Sequence, residues 1–255
     1  MLIDSHAHLD DERFDKDRDL LIKSLKENGI DLVINVGADL ASSIKSVSLS
    51  QQYENIYAAI GVHPHSAKEM DESTIDVLKS FAGREKVVAI GEIGLDYYYD
   101  NSPRDIQRQR FIEQLELAKE VDLPVIIHSR DAARETFDIL KNAQDGSLEG
   151  VLHCYSGSVE MALEYIKLGF YISLAGPVSF KNAKMPKEVA KAVPLDKLLI
   201  ETDSPYLTPE PNRGKRNEPI YVRYVAGTIA ELRGIPFEEL ATKTSENTKR
   251  LFRIE

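Results

Sequence analysis

The 255-residue chain contains one cysteine, Cys154, so no intrachain disulfide can form, which points to a reducing compartment. No apolar run approaches the roughly 18 residues that a membrane span needs. The N-terminus turns polar at Asp4, so no secretory signal is expected and a cytoplasmic location is the reading. Low-complexity tracts, long linkers and composition breaks are missing as well, which suggests one domain over residues 1–255. Positive charge is not in excess either: 32 Lys+Arg face 42 Asp+Glu, a formal charge of −10. That excludes a basic face of the kind that coats duplex DNA, though not an enzyme that works on nucleic acid. With 42% apolar and 29% charged residues, the composition is globular.

What is present is alternation. Short aliphatic or β-branched runs fall at Leu2–His6, Leu32–Gly37, Ile56–Val62, Val87–Glu92, Pro124–His128, Gly150–His153, Phe170–Leu174 and Lys197–Thr202. Amphipathic stretches such as Asp17–Asn28, Pro103–Val121 and Val159–Leu168 lie between them. Ser102 is the expected N-cap of the second stretch, and Pro219–Ile254 reads as two helices around Gly234-Ile235-Pro236. Strands separated by helices imply a parallel sheet. Eight such units predict an α/β fold, the closed (β/α)8 TIM barrel. A doubly wound open sheet is the rival, but no Gly-rich nucleotide loop follows the first strand.

All six histidines fall at predicted strand C-termini: His6, His8, His63, His65, His128 and His153. In a barrel those ends form the functional mouth. Residues i and i+2 of a strand share a face, so His6 and His8 can converge on one ion. Asp4, one step deeper, suits a core network better than a ligand role. Glu92 closes the fourth strand and Asp203 the eighth. Four imidazoles and two carboxylates can serve two divalent ions with one carboxylate bridging. The donor mixture suits Zn, Mn, Fe or Ni and permits Mg.

The motifs DSHAHLD (Asp4–Asp10), GVHPH (Gly61–His65), GEIGLDYY (Gly91–Tyr98), PVIIHSRDA (Pro124–Ala132), HCYSG (His153–Gly157) and ETDSPYLTP (Glu201–Pro209) occur in that order. With Arg213–Pro219, they make the chain resemble the TatD-type metal-dependent hydrolases of the amidohydrolase superfamily. The resemblance implies that His6, His8 and Asp203 hold one metal and that His128 and His153 hold a second. Glu92 would bridge them. A related branch bridges its metals with a carboxylated lysine, but the nearest lysine here, Lys86, precedes the strand. Asp203 is the expected acceptor of the proton from the attacking water.

Several neighbours keep two readings. His63 and His65 contact substrate or protonate the leaving group; alternatively they brace a rigid loop around Pro64. Arg130 grips a phosphate oxygen or pairs with Asp131 or Glu135. Of Tyr97, Tyr98 and Tyr99, at least one packs while others could stack bases. Cys154 should turn outward into the core by strand alternation. Glu201 should orient a ligand imidazole. Arg213, with Lys215, Arg216 and Arg223, forms either a solvated loop or a phosphate-capturing stretch.

The resemblance implies a deoxyribonuclease that cleaves single-stranded DNA from an end. No membrane association is expected without a long apolar run, and no obligate protein partner is inferred. A second enzyme reading is ester or amide hydrolysis, including D-aminoacyl-tRNA deacylation. A metal-stabilised binding module is the non-enzymatic alternative. A purely structural site, however, needs no open water position.

Overall fold

The computed structural model describes all 255 residues. Its strands are β1 (Leu2–Ala7), β2 (Ile30–Val36), β3 (Ile56–Ile60), β4 (Val87–Asp96), β5 (Val125–Arg130), β6 (Gly150–Leu152), β7 (Tyr171–Leu174) and β8 (Leu198–Ile200). They pair in sequence order, each parallel to the next. A parallel bridge between Ala7 and Ser204 brings the first strand against the segment leaving the eighth. The sheet thus rolls into the (β/α)8 barrel that the alternation implies.

Helices α1 (Arg18–Ser24), α2 (Leu40–Gln52), α3 (Thr74–Ala82), α4 (Arg104–Glu120), α5 (Ala133–Ala143), α6 (Val159–Lys167) and α7 (Lys184–Ala192) fill the crossovers. Two more, α8 (Val222–Arg233) and α9 (Phe237–Leu251), follow the last strand. Gly234 ends α8 in the left-handed conformation, φ 65°, as a C-terminal glycine should. No helix is long and apolar enough to cross a membrane.

One helix start differs from expectation. Pro103, not Ser102, occupies the N-cap of α4, with extended backbone and no side-chain cap. The Ser102 hydroxyl instead donates to the His65 carbonyl at 2.8 Å and accepts from the Lys68 amide at 3.1 Å. It ties α4 to the loop carrying two histidines.

Two apolar layers hold the barrel. The larger lies between strands and helices and includes Leu2, Val33, Ile90, Phe111 and Val225. The smaller draws on all eight strands, with Ile3, Ile34, Ala59, Val88, Ile126, Val151, Tyr171 and Leu199. It is the barrel interior. Leu251, Phe252 and Ile254 join it from the chain's end and plug the barrel opposite the histidines. Arg253 fixes this plug by pairing with Asp122 at 2.8 Å, just ahead of β5. The interior is thus apolar and closed at one end, and polar groups concentrate at the other.

Candidate metal centre

The first and last strands build half of the site. His6 lies in β1, whereas His8 lies one residue beyond its end. Register shifts between Asp4 and Ala7 break strict alternation, so a shared strand face does not explain the convergence of the two imidazoles. The barrel seam does. The His8 amide donates to the Ser204 carbonyl at 2.7 Å, and the Asp203 amide donates to the His6 carbonyl at 2.9 Å. Asp203 sits at φ 58°, a left-handed conformation that aspartate tolerates better than most residues. Beneath them Asp4 is fully buried and accepts from the Thr202 amide and hydroxyl and from the His6 amide. It belongs to the core network, and burial pushes its carboxyl up to about 8.

The other half comes from β4, β5 and β6. Strand β4 runs on to Asp96, four residues past its expected end, and carries both Glu92 and Asp96. Gly94, at φ 143°, permits close contact with β5: a Cβ there would stand 2.0 Å from the His128 carbonyl oxygen. His128 projects from β5, and His153 follows β6 directly. Lys86 is at the opposite end, donating to the Ser50 and Tyr53 carbonyls, and takes no part.

The donor atoms form two adjoining groups. His6 Nε2 lies 3.2 Å from His8 Nε2, 3.5 Å from Glu92 Oε2 and 3.7 Å from Asp203 Oδ1. His8 Nε2 is 3.4 Å from Asp203 Oδ1 and 3.9 Å from Glu92 Oε2. Glu92 turns its other oxygen, Oε1, to His153 Nε2 at 2.7 Å and His128 Nδ1 at 2.8 Å; those nitrogens are 3.3 Å apart. A tetrahedron with metal–ligand bonds of about 2.1 Å has edges of about 3.4 Å. The first group matches that size closely, and the second is slightly tighter around Glu92.

Proton bookkeeping also fits a cation. His8 Nδ1 donates to the Val36 carbonyl at 2.8 Å, which leaves Nε2 as a lone pair when the ring is neutral. His153 likewise spends Nδ1 on Glu201 at 3.2 Å and aims Nε2 inward. Glu201 therefore orients an imidazole, as its position implied. Lone pairs and carboxylates thus face one another with little to donate between them, and His6 Nδ1 is buried without a partner. Without a cation, protons must substitute. Burial opposes charge on His8, but the hydrogen bond and charge of Asp203 raise it to about 9. Burial likewise opposes charge on His153, yet Glu92 and Glu201 hold it well above its ordinary value. Glu92 is held well below its usual range, its burial outweighed by the charge of His153 and the hydrogen bonds of His128 and His153. These residues fit a divalent metal site.

A cavity of about 880 Å³ opens above the donors. His63 Nδ1 accepts the His65 amide at 3.1 Å, bracing the 3-10 turn Pro64–Glu69. Its Nε2 points to Glu92 Oε1 at 3.5 Å. The loop-bracing reading of this pair is therefore real, and it does not remove either ring from the cavity wall. His65 Nε2 meets Asp96 Oδ2 at 2.9 Å. Arg130 makes neither of the ion pairs considered for it. Its guanidinium lies 4.0 Å from the Tyr98 ring centre and 4.8 Å from that of Tyr99, while Glu135 pairs with Arg108. Tyr98 and Tyr99 are 58% and 54% exposed at the rim. Tyr97 packs against the core and hydrogen-bonds Glu135.

One position departs from expectation. Cys154 lines the cavity instead of facing the helices, because the chain leaves β6 at Leu152 and turns left-handed at Cys154, φ 42°. The residues of the basic stretch, which kept two readings, go separate ways. Arg216 is neutralised by Asp17 and Glu218, and Arg223 reaches the Asn28 carbonyl at the plugged end. Arg213 stacks over Phe180 at 4.2 Å, outside the cavity lining. Asp96 is the residue that sequence reasoning missed. Its position in GEIGLD, four residues after Glu92, was the available signal.

The profile of TatD related DNase matches residues 3–253. The chain belongs to the TatD family. It is 52% identical to the uncharacterized metal-dependent hydrolase YabD of Bacillus subtilis, covering 100% of both chains. It is 34% identical to the protein of Shigella flexneri named 3'-5' ssDNA/RNA exonuclease TatD, with 99% of each chain covered. Among solved structures, the TatD homolog YJJV of Escherichia coli superposes with a TM-score of 0.94 at 32% identity, over 100% of this chain and 98% of the other. Family membership makes this TatD protein a metal-dependent hydrolase. The His/Asp/Glu groups at its mouth fit that chemistry.

Proposed function

We propose that the protein hydrolyses phosphodiester bonds of single-stranded nucleic acid, DNA first, from a strand end. The observation that carries this reading is one cavity joining the convergent donors to a guanidinium stacked on two exposed tyrosines. Backbone charge and base faces are the two recurring features of a single strand, and that combination suits both. The exonuclease name of the Shigella relative supports the same substrate class.

In this reading His6, His8 and Asp203 would hold one divalent ion and His128 and His153 another, with Glu92 shared between them. Zn, Mn, Mg, Fe or Ni are the candidates. Bound ions supply an acidified water and charge stabilisation at the phosphoryl oxygens. Asp203 takes the proton of the attacking water on Oδ2, since Oδ1 faces His6 and His8. His63, its Nδ1 occupied by the His65 amide, turns Nε2–H inward as a donor to a phosphate oxygen. His65, one-third exposed, stands beside it for the leaving group. Arg130 clamps the adjoining phosphate while Tyr98 and Tyr99 support bases. Arg213, lying outside the cavity, serves only a phosphate farther along the strand. The single cysteine suits a reducing compartment, and we place this activity in the cytoplasm.

The test is a matched assay of metal-loaded protein. Substrates are 3′- and 5′-labelled single strands of DNA and RNA, duplex DNA and D-aminoacyl-tRNA, with chelated protein and Asp203→Asn as controls. Progressive shortening of single strands, lost in both controls, is expected. Deacylation with intact strands would replace the nuclease with an ester hydrolase, since a water activated at the same site could attack either centre.

A further inference from the structure

Asp96 is 1% exposed and its carboxylate is saturated. Oδ1 accepts the Tyr98 amide at 3.0 Å and the Tyr99 amide at 2.9 Å. Oδ2 accepts His65 Nε2 at 2.9 Å and His128 Nε2 at 3.2 Å. The main chain is held as well: the Asp96 amide donates to Gln107 Oε1 at 2.9 Å, and Gln107 Nε2 donates to the Asp96 carbonyl at 3.1 Å. Gln107 is itself fully buried on α4.

A carboxylate offers only acceptors, so both imidazoles must present N–H to it. For His128 this fixes Nε2–H and leaves the Nδ1 lone pair facing Glu92 and His153. We propose that Asp96 is a positioning residue that sets which nitrogen of His128 faces the metal and ties that ligand to the substrate rim. The rim elements are His65 and the Tyr98–Tyr99 turn, on which Arg130 rests. Outer partners of metal-binding imidazoles typically matter 10–100-fold in affinity. The inference rests on the assignment of His128, His153 and Glu92 to one ion.

The experiment titrates metal-free wild type, Asp96→Asn, His65→Gln and His128→Ala with Mn²⁺ by calorimetry. In Asp96→Asn, roughly a 10–100-fold loss is expected at one site, with the other site within about twofold. His65→Gln should leave both sites within about threefold, because Oδ2 still holds His128. Unchanged affinities in Asp96→Asn, with one site lost in His128→Ala, would overturn the positioning role and keep the ligand assignment. No loss in His128→Ala would instead remove the assignment. A loss shared equally by both sites in Asp96→Asn would mark general loosening and also count against the proposal. Should Asp96→Asn not fold, the ¹⁵N spectrum of wild type loaded with diamagnetic Zn²⁺ decides. His128, identified by its absence in His128→Ala, should carry its proton on Nε2; a proton on Nδ1 overturns the inference.

Discussion

The two ends of this barrel are built from opposite materials. The plugged end is closed by Leu251, Phe252 and Ile254 against one apolar residue or more from every strand. The open end gathers six histidines with Glu92, Asp96 and Asp203, and the left-handed residues Asp131, Cys154 and Asp203 lie there too. Burial at the first end stabilises the fold directly. At the second end, burial brings charges and lone pairs together in a way that only protons or a cation can relieve. The same fold therefore separates stability from chemistry along one axis, and substitutions at the two ends should have different signatures.

The largest effect is expected from Asp203→Asn. Loss of a positioned proton acceptor should slow turnover about 100- to 10,000-fold, measured on single-stranded DNA with saturating metal. Unfolding of the metal-free variant should shift little. A variant equally slow but also globally unstable would blur the division between the ends. Phe252→Ala tests the converse. It removes a fully buried ring from the plug and should cost about 3–5 kcal/mol in urea unfolding, while kcat stays within a few-fold.

These contrasts bear on what could be read from the chain alone. Eight short apolar runs and the order of the histidine motifs are enough for the barrel and its mouth, because strand periodicity is local and ligand types are few. Asp96 escaped because the aliphatic run places the fourth strand at Val87–Glu92, whereas pairing with β5 carries it on. Cys154 was misplaced because alternation was extended beyond the end of β6. For Arg216 the solvated-loop and phosphate-capture readings stayed open because its partner Asp17 is far away in sequence. The cases of Asp96 and Arg216 depend on contacts between distant segments, which local pattern does not encode.

A smaller effect is expected at the rim. Arg130→Ala should weaken single-strand binding by about 1–2 kcal/mol, roughly 5- to 30-fold, with turnover at saturation nearly unchanged. A loss confined to kcat would move Arg130 from binding to chemistry. The smallest effect concerns Asp4, where the two materials meet. Its carboxyl is raised by burial to about 8 in the folded chain, against 3.8 ordinarily. Between those values the folded state binds the extra proton, so this contribution to stability is greatest at low pH and declines as pH rises to about 8. In metal-free protein, raising the pH from about 7 to 8 should cost wild type up to about 1 kcal/mol more than Asp4→Asn. Equal slopes in urea unfolding would assign the network under the mouth no role in this pH dependence.

The seam between Ala7 and Ser204 has a consequence for synthesis. His6 and His8 emerge from the ribosome almost first, whereas Asp203 emerges only after four-fifths of the chain. Their donors become neighbours only when the terminal segments meet across that seam. A nascent or truncated chain can therefore display an HxH pair but not the finished pocket. Completing the donor set thus requires closing the barrel.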